Sequence, residues 1–287
     1  MMLQHAAGAG ARRAVAAVGS VRATAVYAAI LVVVGVVAWW LGPRAQQTLV
    51  ERMSTNLHNL AEGHLGTLVG SAFVTDDGMG WWLLGLVCLL AAAELIWRSR
   101  RLVHIFVLGH VGATLIVAAG LALAIHIGWQ PGDLVWADDV GVSYGAAAVV
   151  GALTAAVPVP ARPAWAGWWL GVAILAARGW DFTAVGHALA LMLGIAFSVR
   201  LGCAPRWTPP LLGALGGGLV FGYLVLSGSA VAPAGAGVLG ASVAVIAAWL
   251  ARRASARIAA AQRALVPCAA RTASANMKAT DVTRGPI

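Results

Sequence analysis

LVHIFVLGHVGATLIVAAGLALAIHI, residues 102–127, contains no Asp, Glu, Lys or Arg. A hydrocarbon core about 30 Å thick is crossed by about 20 apolar residues in a helix, so this run is long enough to span a bilayer. It lacks the apolar/polar alternation of a barrel strand, and lipid offers its backbone no hydrogen-bond partner, so it must be helical. Working outward, similar blocks occur at 23–41, 81–97, 142–157, 164–177, 182–199, 211–226 and 230–250, giving eight spans in all. The blocks at 142–157, 164–177 and 211–226 are shorter than usual and are delimited largely by the charges beside them.

Composition points the same way: 61% of the 287 residues are hydrophobic and 10% are charged, against about 25% charged in a soluble domain. The fold class is therefore all-α, a polytopic transmembrane bundle. The net charge of +9 follows the ends of the spans and is not interleaved with exposed aromatics, which excludes nucleic acid as a partner. Cys88, Cys203 and Cys268 form no paired spacing, so neither a disulfide framework nor a zinc site is indicated. All basic residues except Lys278 are Arg in an Ala-, Gly- and Val-rich chain, a codon signature of a GC-rich bacterial genome.

Arg12, Arg13, Arg22, Arg98, Arg100, Arg101, Arg162, Arg200, Arg206 and the tail from Arg252 onward alternate to one side of eight spans. The positive-inside rule makes that side cytoplasmic, with both termini inside and the cell inner membrane as the location. The other side receives Arg44, Arg52 and Arg178 together with Glu51, Glu62, Asp76, Asp77, Asp133, Asp138, Asp139 and Asp181. A signal peptide is disfavoured, because no small-x-small cleavage site follows the first apolar run before Pro43.

This gives a cytoplasmic segment at 1–22, a core at 23–200, two further spans within 201–250 and a cationic tail at 251–287. The tail is expected to start as a helix on the inner surface, attracted to anionic lipid, and then to lose order. The long external connection at 42–80 mixes Leu57, Leu60, Leu65, Leu68, Val69 and Phe73 with His58, His64 and Glu62. That mixture predicts short amphipathic helices lying at the outer interface.

Two places interrupt the apolar pattern in a way chemistry would need. GVSYG, Gly141 to Gly145, opens the fourth span, and Gly186–His187 lies near the outer end of the sixth. Ser143 follows Asp139 by four residues and His187 follows Asp181 by six, which at about 1.5 Å per residue puts both at similar depth. A serine and a histidine at one depth can form a nucleophile and its base. Small residues at helical spacing, Ser143, Ala147 and Gly151 on one span and Gly186, Ala190 and Gly194 on the other, would let these helices approach closely. The same spacing packs helices in proteins with no catalytic role.

At these residues the chain resembles the rhomboid family of intramembrane serine proteases, which carry a GxSG-type motif at the fourth core helix, a GH at the sixth and an external first loop of amphipathic helices. STNLHNLAEGHLGTLVGSAF, residues 54–73, looks like that first loop as found in high-GC bacteria. The resemblance covers about 23–200 and implies a six-helix rhomboid-like core with two helices added. It implies Ser143 as nucleophile and His187 as general base, with Gly141, Tyr144, Gly145 and Gly186 supporting the site and the Ser143 backbone N–H offering an oxyanion donor.

Three positions depart from that pattern. Trp81, Trp82, Leu83 and Leu84 stand where active rhomboids carry HxxxN, Tyr144 replaces the glycine after the serine, and the first-loop Trp-Arg pair is absent. Losing one oxyanion donor costs about 100- to 1,000-fold in rate.

Ionisable residues inside spans are functional suspects. His104 and His126 can reach the interfaces, whereas His110 is deep enough to need a partner, such as a serine or a carbonyl, and is a candidate replacement oxyanion donor. The histidine spacings form no compact ligand set, so neither a metal nor a cofactor is expected. Glu94 precedes Arg98 by four residues, the spacing of an intrahelical ion pair. The leading expectation is proteolysis of a single-span membrane substrate. Its rival is a catalytically silent protein that binds transmembrane segments as clients. A small-molecule transporter is a weaker third, because no carboxylate lies mid-span and no inverted repeat is apparent.

Overall fold

The computed structural model describes residues 19–75, 80, 82–179, 181–202, 205–228 and 231–281, with side chains as far as Ala259. Arg12 and Arg13, Asp76 and Asp77, and Cys203 and Cys268 lie outside the described residues or side chains. No strand occurs among the described residues, and ten α-helices do. They are α1 (Arg22–Leu41), α2 (Pro43–Met53), α3 (Leu57–Ala61), α4 (Thr67–Gly70), α5 (Trp82–His126), α6 (Ser143–Ala152), α7 (Arg162–Ala177), α8 (Phe182–Ser198), α9 (Pro209–Ser227) and α10 (Pro233–Asp281).

Four of these, α1, α5, α9 and α10, are long and apolar enough to cross a membrane. α5 supplies two of the expected spans, because Arg98, at φ 67° and ψ 160°, breaks its 45 residues into two helices. The shorter apolar helices are α6 with its 3₁₀ extension to Ala155, and α8, joined by the 16-residue α7. The polytopic helical bundle read from the hydropathy blocks is thus the observed architecture. α10 continues to Asp281. The order expected of the final residues, 282–287, lies outside the described part.

α6 is the centre of the bundle, with every residue from Tyr144 to Ala156 buried. Its small side chains permit this, because lipid drives no hydrophobic association and membrane helices gain by close packing. Gly109 of α5 lies against Ala148, and Gly194 of α8 lies against the Ala148 carbonyl. Arg162 closes the far end by donating to the carbonyls of Ala155 at 2.9 Å and Val157 at 3.0 Å, which α6 and its extension leave unmet. α10 packs on α7 through Gly167 against Gly240 and Gly171 against Ala236.

Glu94 does not play the part its spacing suggested. It is 1% exposed, and its carboxylate accepts from the backbone N–H of Ala23 at 2.9 Å and of Thr24 at 2.8 Å, and from the hydroxyls of Thr24 and Ser99. It therefore caps the amino end of α1 from a neighbouring helix, where orphan N–H groups and the helix dipole favour an anion. Arg98 sits at the break in α5, out of register for an i,i+4 pair.

The first loop carries the short helices α3 and α4 and packs its polar residues into the bundle. Ser54, Thr55, Asn56, Asn59, Thr67 and Ser71 are all buried, and the Tyr27 hydroxyl of α1 donates to the Ala72 carbonyl. The segment turns into the bundle because its hydroxyls and amides find partners there. Leu65 and Val69 remain exposed.

Candidate functional site

The approach to α6 is held by the first loop. Thr55 N–H donates to the Asp139 carbonyl at 3.0 Å, Asp139 N–H donates to Ser54 Oγ at 2.9 Å, and Gly141 N–H donates to the Ser71 carbonyl at 2.9 Å. Ser71 Oγ in turn accepts from Thr55 Oγ1 at 2.9 Å and lies 3.0 Å from His110 Nε2. His110, 4% exposed, thus has the serine partner that its depth demanded, while its Nδ1 is buried without one. It also borders a largely apolar cavity of about 200 Å³ lined by Tyr27, Leu68, Phe73 and Phe106.

Within GVSYG each glycine has a local reason. Gly141 takes φ 120°, a conformation that L side chains rarely adopt, and this turns the chain into α6. Gly145 leaves room for Phe106, since a Cβ there would lie 2.5 Å from its ring. Gly186 on α8 leaves room for the Tyr144 ring.

The helices α6 and α8 do pack tightly, as their small residues implied, but in a different rotational register. The α6 face that meets α8 carries Tyr144, Ala148 and Gly151 rather than Ser143, Ala147 and Gly151. One residue on a helix is about 100° of rotation, enough to exchange which side chain faces the partner. Tyr144 accordingly stands edge-on to His187, with ring centroids 5.3 Å apart, and His187 Nε2 is buried with no hydrogen-bond partner, Ser143 included. Ser143 itself, the first residue of α6, is half-buried.

Asp139 lies before α6, and its carboxyl and the Tyr144 hydroxyl interact electrostatically without closing to a well-aligned hydrogen bond. Burial pushes the Asp139 carboxyl up to about 6. On α8, Asp181 Oδ2 accepts from Ala184 N–H at 3.1 Å and caps the helix that carries His187. The arrangement orients His187 and Tyr144 against each other.

The other histidines serve their neighbourhoods. His104 Nδ1 lies 2.6 Å from the Arg100 carbonyl of its own helix. His58 stacks on Trp136 at 3.7 Å and pairs with Glu62 at 3.2 Å, and His64 flanks the same carboxylate at 3.8 Å. Among the described residues no group of three or more His, Cys, Asp or Glu is arranged to hold a metal ion.

The loop polar network of Ser54, Thr55 and Ser71 was not singled out in the sequence. Its signal was a concentration of hydroxyl and amide residues between two spans of an otherwise apolar chain, the composition of a segment that satisfies its backbone inside protein.

Neither the curated proteins nor the solved structures compared with this chain gave a match. A family model described as rhomboid-like protein matches residues 16–205. The first loop, the GVSYG turn and the Gly186–His187 segment all fall inside that match, and the chain belongs to the rhomboid-like protein family.

Proposed function

We propose that this protein binds single membrane-spanning helices without cleaving them. The observation that carries the reading is Tyr144: its ring fills the space between α6 and α8 against Gly186 and His187, where a serine nucleophile and its base would have to meet. General-base catalysis needs the base within about 2.6–3.2 Å of the proton it takes, and His187 Nε2 has no partner. The missing HxxxN supports the same reading, because the candidate replacement donor, His110, is engaged with Ser71. In this family setting the retained capacity is recognition of transmembrane segments within the bilayer.

Proteolysis by Ser143 and His187 is the second reading. It is favoured by the half-buried position of Ser143 next to Tyr144, so that a rotation of α6 by about one residue would turn the serine toward α8.

The protein is a multi-pass membrane protein, and we place it in the plasma membrane of a bacterium with both termini cytoplasmic. Support for that orientation comes from Arg22, whose Nε lies 3.4 Å from Ser99 Oγ, so that Arg22 and the basic segment at Arg98–Arg101 share one end of the bundle.

The test combines two readouts on purified protein in nanodiscs. A single-span peptide carrying a photo-crosslinker reports binding, with mass spectrometry reporting its integrity, while a fluorophosphonate probe reports an activated serine in wild type, Ser143→Ala and His187→Ala. Crosslinking of intact peptide with no Ser143-dependent labelling is the expected result. Peptide cleavage or probe labelling that disappears in Ser143→Ala and His187→Ala would overturn the binding reading and establish the dyad.

A further inference from the structure

We infer that the cavity between α1, the first loop and the second helix of α5 binds an isoprenoid quinone, one ring carbonyl of which accepts a hydrogen bond from His110 Nδ1.

The hydrogen-bond chain through the first loop fixes the state of this imidazole. Thr55 Oγ1 lies 2.9 Å from Ser71 Oγ, nearer than the 3.3 Å to the Thr67 carbonyl, and donates to it. The single Ser71 hydroxyl proton is then directed at His110 Nε2, 3.0 Å away. A neutral imidazole that accepts at Nε2 carries its proton on Nδ1. That N–H is buried, in a residue only 4% exposed, and has no partner in the protein. Buried polar groups are nearly always paired, so a donor left over at this depth points to a ligand that accepts from it.

His110 lines a cavity of about 200 Å³ whose surface is almost wholly apolar. The two other polar side chains on its wall are engaged elsewhere: Thr24 donates to Glu94, and Tyr27 donates to the Ala72 carbonyl. A buried water needs two to four polar partners, and this cavity offers one, so the acceptor that fits is an oxygen on an apolar body. Tyr27 stands edge-on to Phe73 and to Phe106, at centroid distances of 5.3 Å and 5.2 Å, which gives the cavity aromatic walls against which a planar ring packs. Dry cavities of about 150 Å³ take up benzene, so this one has room for a substituted ring. Val69, Val103 and Val107 on its rim are 48–60% exposed, and a ring enters between them sideways from lipid.

Depth selects among the carbonyl compounds of a membrane. His110 follows Arg98 by 12 residues and precedes His126 by 16, which at about 1.5 Å per residue is roughly 18 Å and 24 Å along the helix. It therefore lies near the middle of a hydrocarbon core about 30 Å thick, away from the interfacial level of phospholipid esters. The carbonyls of a spanning peptide are used up within its own helix. A quinone ring on an isoprenoid tail carries free carbonyl oxygens to this depth on an apolar body.

The test uses the full-length protein in nanodiscs with two probes, and uptake is measured against empty nanodiscs. Duroquinone has a fully methylated ring that leaves no position for thiol addition, and durene is the same ring without the carbonyls. Wild type is expected to bind duroquinone at least about tenfold more tightly than durene, the worth of one buried hydrogen bond. Duroquinone, and not durene, should shift the Nδ1 NMR resonance of His110. Val107→Trp fills the cavity from its lipid-facing rim and leaves the Ser71–His110 pair in place, so it should abolish saturable uptake of duroquinone in a folded protein. His110→Phe should bind the two probes alike.

Saturable uptake of neither probe by wild type, equal affinity for both, or an unmoved Nδ1 resonance overturns the inference. So does a Val107→Trp protein that binds duroquinone as wild type does.

Discussion

Ser71 Oγ and His110 Nε2 lie 3.0 Å apart, and this pair fastens the first loop to the middle of the second helix of α5. Both residues are buried, and Ser71 also receives the Thr55 hydroxyl. Removing one partner from a buried hydrogen bond leaves the other unsatisfied, at a cost of about 1–3 kcal/mol. Ser71→Ala and His110→Ala should each lower the unfolding midpoint in detergent and speed hydrogen exchange across residues 54–73. A double variant no worse than the poorer single one is expected. Full additivity of the two losses would show that the pair does not act as a unit.

Glu94 and Arg98 should behave oppositely. Glu94→Ala strips a buried carboxylate from two backbone N–H groups and two hydroxyls, so a loss of at least about 3 kcal/mol is expected. Arg98 holds a positive φ, which glycine adopts without strain, so Arg98→Gly should be neutral or stabilising. Thermal unfolding of the two variants side by side decides it. Comparable losses would mean that the two residues are an intrahelical ion pair after all.

The Asp139 carboxyl is about 6 in the folded protein against an ordinary 3.8, so between those values the folded state holds a proton that the unfolded chain has released. Stability contributed by this group is therefore full below about pH 4, falls as pH rises, and levels off above about pH 6. Asp139→Asn should flatten that part of the stability profile, measured by thermal unfolding from pH 4 to 7.5. A variant that retains the slope would assign it to another group.

Tyr144 separates packing from hydrogen bonding. Its ring fills the space beside Gly186 and His187, whereas its hydroxyl is buried with no hydrogen-bond partner. Tyr144→Phe should therefore change stability by less than about 1 kcal/mol, and Tyr144→Ala should cost about 3–5 kcal/mol. A large loss in the Phe variant would reveal a bond to the hydroxyl, with Asp139 the nearest acceptor by electrostatic coupling.

Hydropathy and charge located the helices closely, because crossing lipid constrains length and composition one span at a time. The expected first span at 23–41 is α1, and the expected sixth at 182–199 is α8 within a residue. Rotation about a helix axis is a property of pairs, and it was less legible. Ser143, Ala147 and Gly151 made a plausible packing stripe, but Tyr144 finds its space only because Gly186 stands opposite, which no reading of one span discloses. Glu94 misled for a related reason: the i+4 rule sees only its own helix, and the partner was the amino end of another. His110 was legible in kind, since an imidazole that deep requires a partner, but nothing in the spacing paired it with Ser71 of the first loop.

The capping of α1 by Glu94 bears on how the chain enters the membrane during synthesis. Ala23 and Thr24 are made about 70 residues before the carboxylate that satisfies them, so the first span leaves the ribosome with its amino end unanswered. Glu94, for its part, enters lipid with the Ser99 hydroxyl of its own helix, and three of its four donors arrive only from α1. The first two spans are thus matched halves of a hairpin whose insertion is complete when the second arrives, and a chain interrupted between them would strand both.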